Sequence, residues 1–221
     1  IFYSSYILIS LIIIFLWVIA PSISLVIFLI IASHHFGKED TQFLIIENSY
    51  LNQLLFFFKG SLIVFAPMYF HFDDTISIFK LLLIENESFY EFLNIVETNK
   101  ILLYCIILST LSSIILFVKN FEPKRFTIFL DYFSILIINY YFSPLVAFTI
   151  YFCFLHSIRH SISLMYELDN DNLTNGLKIF TKKALPLTIL TAIFCFLGLY
   201  LLNNTYNFDS SILKIIFIGL A

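Results

Sequence analysis

Charge is scarce in this chain of 221 residues: Asp, Glu, Lys and Arg together make up 12%, about half of what an ordinary soluble domain carries. That, with 60% hydrophobic residues and a mean hydropathy of +0.95, excludes a water-soluble globule. Basic residues number 12 against 15 acidic, for a net charge of −3, and they form no stripe that would neutralise phosphates. Nucleic acid is excluded as a partner. The three cysteines, Cys105, Cys153 and Cys195, stand alone in apolar runs, without a CxxC pair, which excludes zinc knuckles and disulfide scaffolds. They read as buried small hydrophobes. Glycine is also rare, at five residues: GKED, at 37–40, lacks the glycines that would cradle a phosphate, and no hydrolase elbow occurs. There is no internal repeat and no low-complexity linker.

What is present is a succession of apolar runs, and a hydrocarbon core of about 30 Å is crossed by about 20 such residues. Runs at 2–19, 23–35, 54–71, 101–118, 126–142, 144–164, 184–202 and one from 211 predict an all-α integral membrane protein, a polytopic bundle of about seven or eight transmembrane helices. Pro21 with Ser22 breaks the first pair, and Ser143 with Pro144 separates the fifth run from the sixth. Segment 72–100, FDDTISIFKLLLIENESFYEFLNIVETNK, mixes carboxylates with apolar residues and is expected to lie in the interface or to cover one end of the bundle. One transmembrane domain over 1–221 is the simplest reading. Ile1 opens the chain without a basic leader, and both ends fall in apolar runs, so the sequence reads as an internal piece truncated at both ends. Lys119, Lys124 and Arg125 in loop 119–125, and Lys178, Lys182 and Lys183 in loop 165–183, predict a cytoplasmic side for both, with 36–50 inside and 72–100 outside.

Ionisable groups at such runs are functional candidates by default. His34, His35, His71, His156 and His160 all sit at or inside the ends of apolar runs. His156 and His160, in YFCFLHSIRH, are four apart and share one face of a helix, so their imidazoles can meet one metal ion; the alternative is a helix end whose Arg159 and His160 snorkel to headgroups. In SHHFGKED, at 33–40, neighbours point about 100° apart, so only one of His34 and His35 faces a given centre. Lys38, Glu39 and Asp40 read there as markers of the water interface. His71, in MYFHFDD, stays open between a ligand, a partner of Asp73 or Asp74 and an interfacial residue. Tyr151, Phe152 and Phe154 are candidates to line an apolar tunnel, and Arg159 to anchor the helix end or to bind a carboxylate such as Asp73.

Three stretches carry a resemblance. SHHFGKED is similar to S-x-x-H-F-G-E-E-D, GSLIVFAPMYFH (60–71) to a Gly-rich start followed by Pro and His, and AFTIYFCFLHSIRH (147–160) to YF-x-x-W-H-S-x-R-H, with Leu155 in place of Trp. These are motifs of the Brp/Blh-type β-carotene 15,15′-dioxygenases of bacteria and archaea, which the chain resembles over most of its length. Two of that family's motifs, P-H-G-x-x-D-H and L-T-x-P-H, are absent.

The resemblance implies that His35, His156 and His160 match iron ligands, with a fourth ligand outside this chain or supplied by His71 or His34. It implies cleavage of the central double bond of β-carotene by O2 at a non-haem Fe2+, giving two molecules of retinal, in a multi-pass protein of the prokaryotic inner membrane. Membrane lipid and a rhodopsin that takes the product are the implied partners. A histidine-lined metal or ion transporter without enzymatic activity is the rival; it would show paired repeats and broken helices.

Overall fold

The computed structural model describes residues 8, 12–13, 15–41, 44, 49–82, 86–119 and 122–220. Every regular element among them is helical: α1 (Pro21–Glu39), α2 (Tyr50–Gly60), α3 (Leu62–Phe70), α4 (Phe72–Leu81), α5 (Glu87–Thr98), α6 (Ile101–Val118), a 3-10 turn (Pro123–Arg125), α7 (Phe126–Tyr141), α8 (Pro144–Ile150), a π-helical turn (Tyr151–Ser157), α9 (Ile158–Leu168), α10 (Leu173–Leu202) and α11 (Phe208–Leu220). The chain divides into two compact units, Ile1–His156 and Ser157–Ala221.

Among the described residues, five helical stretches are long and apolar enough to cross a membrane: Pro21–Glu39, Tyr50–Phe70, Ile101–Val118, Pro144–Leu168 and Leu173–Leu202. Seven or eight were expected, and five of them are found here. The run at 2–19 lies largely outside the described residues, and α7, at 16 residues, is short for a span. The run from 211 belongs to α11, with 13 residues. The expected loop 165–183 is mostly helix, because α10 begins at Leu173 and carries Lys178, Lys182 and Lys183 in its first turns. Its Asn172 cap accepts a hydrogen bond from the Asn175 amide, satisfying a donor that the helix start leaves unpaired. Segment 72–100 forms two helices, α4 and α5, with a cap of the same kind at Asn86.

In the first unit α1 packs most intimately on α2, and α2 and α3 pack on α6. The closeness is a glycine effect: a Cβ on Gly37 would overlap the Phe56 carbonyl, and one on Gly60 would overlap the Ser33 carbonyl. Backbones meet where side chains would keep them apart. Against them α6 presents Ser109, Ser112 and Ser113, all buried. Their hydroxyls bond to the Lys59, Leu108 and Ser109 carbonyls, so no polar atom is stranded in an apolar contact. The opposite face of α6, with Tyr104, Ile107, Leu111 and Ile115, is exposed, as a lipid-facing stripe is. Phe36, Leu62, Ala66, Ile106, Tyr132 and Tyr151 lie in one buried cluster. In the second unit α9 packs on α10 and α10 on α11; α10 leaves Leu187, Ile193, Phe194, Phe196 and Tyr200 exposed.

The cysteines are not buried: Cys153 is exposed, and Cys105 and Cys195 are half-buried. A free thiol behaves as a small hydrophobe, so partial exposure on an apolar helix face costs it little.

Candidate functional site

The site grows from the end of α1. His34 and His35 diverge, as neighbours on a helix must. His34 Nε2 donates to Gln53 Oε1 of α2 at 2.8 Å, while the His35 ring lies 5.8 Å from the His156 ring, centroid to centroid. Beside both is Phe36, whose ring meets His156 edge-on at 4.8 Å and Tyr151 at 5.6 Å. Phe152 stacks on His156 at 5.8 Å and on Phe148 at 5.6 Å. One imidazole is therefore set in an aromatic wall, and the other borders it.

Asp40, which caps α1, is 3% exposed and does not mark the water interface. Its Oδ2 accepts from the Tyr151 hydroxyl at 2.6 Å and its Oδ1 from His156 Nδ1 at 3.0 Å. Burial would push the carboxyl up, but the His156 bond, the nearby charge of Lys59 and the Tyr151 bond outweigh it and hold the group below the usual carboxylate range. An ionised carboxylate only accepts, so His156 Nδ1 carries the proton of this bond. The arrangement can orient an imidazole and fix which of its nitrogens carries the proton.

Sequence reasoning singled out His35 and His156 but passed over Asp40. The only local signal was an acid five residues after His35 at the close of an apolar run; its partners His156 and Tyr151 lie 116 and 111 residues away. Tyr151 stood out only as an aromatic.

The other candidates lie elsewhere. His71 joins α3 to α4, with Nε2 donating to the Asn139 carbonyl of α7 at 2.9 Å and Nδ1 3.8 Å from Asp74 Oδ2. Asp73 is exposed one residue away, its carbonyl accepting from Ser77. His160 is exposed and Arg159 half-buried on α9, in the second unit.

These donors do not fit an iron ion. Two imidazoles meet in the first unit, and the carboxylate beside them is engaged by Tyr151 and His156. Among the described residues no group of three or more His, Cys, Asp or Glu side chains is arranged to hold a metal. That overturns the expected Fe2+ cofactor, and with it the reading of this chain as an iron-dependent, metal-binding oxidoreductase that cleaves β-carotene with O2.

Long apolar helices around a buried carboxylate, phenol and imidazole define a helical protein of membrane type with a polar centre of its own. The match of a family model narrows this class. The chain belongs to the beta-carotene 15,15'-dioxygenase family, whose model matches residues 1–221. Neither a curated protein nor a solved structure matches it.

Proposed function

We propose that this chain is a multi-pass protein of the prokaryotic inner membrane that binds a long apolar polyene of the β-carotene class against the aromatic wall at His156. One observation carries the reading: Phe36 and Phe152 pack on an imidazole that Asp40 holds by a hydrogen bond, and Phe148 extends the aromatic wall beyond Phe152. Flat aromatic faces suit a conjugated chain, which offers them a π-face and a large apolar area. Membership of a family named for a carotenoid substrate and the lipid-facing helices support a ligand that arrives from the membrane. His35, at the edge of the wall, is the second group such a ligand would meet.

The test is reconstitution of the full chain in lipid nanodiscs with β-carotene. A saturable red shift of the carotenoid absorption is expected, weakened at least several-fold in Phe152→Ala and in Phe36→Ala. No saturable shift, or equal shifts in all three proteins, would overturn the reading, as would iron retained one to one together with retinal formed from the bound carotenoid.

A further inference from the structure

Tyr151 and His156 are five residues apart and bond to the two oxygens of one carboxylate, at 2.6 and 3.0 Å. On an α-helix, with 3.6 residues per turn, residues five apart point about 140° away from each other. Two side chains so divided cannot converge on Asp40. They do here because Tyr151–Ser157 is a π-helical turn, closed by i→i+5 bonds that carry residue i+5 nearly over residue i. Such turns are rare, single, and weaker than the α-helix they interrupt, so something outside the helix must favour this one.

Asp40 is placed to do so. It follows α1 three residues after Gly37, at the backbone-to-backbone crossing with Gly60. The chain there is tied by the Asp40 amide to the Phe36 carbonyl and by the Thr41 hydroxyl to the Gly37 carbonyl at 2.7 Å. The backbone that carries the carboxylate is thus fixed at the α1–α2 crossing, independently of the helix the carboxylate grips.

We propose that Asp40 is a positioning residue that sets the register of the 144–168 span. By clasping Tyr151 and His156 together it holds the π-turn, and the π-turn delivers the His156 ring to Phe36 and His35. Without the clasp the turn relaxes to α, Tyr151 and His156 diverge, and the imidazole leaves the aromatic wall. The span therefore has two registers, and the site exists in only one of them. This rests on the geometry of Asp40, Tyr151 and His156 and not on carotenoid binding, so either can fail alone.

The test reads His156 directly. In the full chain in nanodiscs, 15N-labelled at histidine, the resonance of a strongly hydrogen-bonded Nδ1–H is assigned to His156 by its loss in His156→Gln. Asp40→Ala should abolish that resonance. Deletion of the exposed Cys153 removes the extra residue of the turn and leaves Tyr151 and His156 four apart, on one face of an α-helix, so there the resonance should persist without need of the clasp. Tyr151→Phe, which takes one arm from the clasp and no backbone, should weaken the resonance in the wild-type background and leave it unchanged in the deletion. Helix content and membrane insertion should stay at wild-type level in all of these variants; where the deletion does not insert, Tyr151→Phe in the wild-type background decides alone. A His156 resonance unchanged in Asp40→Ala or in Tyr151→Phe, lost in an inserted deletion variant, or weakened equally by Tyr151→Phe in both backgrounds, would overturn the proposal. Loss of the resonance with carotenoid binding intact would instead count against the proposed function alone.

Discussion

Replacing Tyr151 by Phe removes a single oxygen from a side chain that is 2% exposed, and with it the donor 2.6 Å from the Asp40 carboxylate, which His156 Nδ1 also holds at 3.0 Å. The ring keeps its packing against Phe36 at 5.6 Å, so the change is almost purely one hydrogen bond. A bond to an ionised acceptor contributes about 1.5–3 kcal/mol, against about 1 for a neutral pair; we expect Tyr151→Phe to cost about 2 kcal/mol at pH 7. Tyr132→Phe is the control. Its hydroxyl meets Thr110 Oγ1 at 2.5 Å, a neutral pair, so its loss should cost about 1 kcal/mol.

The two differ further in their response to acid. Asp40 is held below its ordinary value in the folded chain, so its contribution is fully present above the unfolded carboxyl value of about 3.9 and is lost as pH falls through the folded value. The gap between wild type and Tyr151→Phe should be widest above about pH 4 and close below it, while that for Tyr132→Phe stays level. Reversible unfolding in mixed micelles, followed by tryptophan fluorescence and circular dichroism from pH 7 downward, measures both. A Tyr151→Phe penalty no larger than the control, or one that ignores pH, would refute the clasp.

Two further outcomes are expected. Gly37→Ala, whose new methyl would overlap the Phe56 carbonyl, should destabilise the first unit by about 1–3 kcal/mol, whereas Gly198→Ala, with the nearest side-chain atom at an ordinary 3.4 Å, should be neutral or gain up to about 1 kcal/mol of helix propensity; thermal unfolding separates them. Asn86→Ala removes the oxygen that accepts from the Phe89 amide at 3.0 Å and should raise hydrogen exchange in the first turn of α5, corresponding to about 1 kcal/mol.

The class of fold was legible because lipid imposes a crude rule. Apolar runs bounded by Pro21, Lys119 and Pro144 mark helix ends whatever the neighbours do, since backbone groups in hydrocarbon must be satisfied within the helix. The His34 and His35 argument needed only the angle between adjacent helical residues, and the structure sets those rings on different partners. The three lysines at 178, 182 and 183 misled, because charge marked a loop where an N-cap at Asn172 starts a helix. Asp40 misled for the same reason: beside Lys38 and Glu39 it has the composition of an exposed helix end, and it is buried.

By itself, then, the sequence determined an all-α chain with several long apolar helices and histidines at the helix ends, which follow from composition and one-dimensional spacing. What only the tertiary structure decided is which of those histidines meet and what they meet. Asp40 reaches His156 across 116 residues, and a π-turn shifts the register by which residues five apart share a partner. Spacing rules presume a uniform helix and local neighbours. The packing of α1 on α2 through Gly37 and Gly60 places a carboxylate that turns two candidate ligands and one unremarked tyrosine into a clasp.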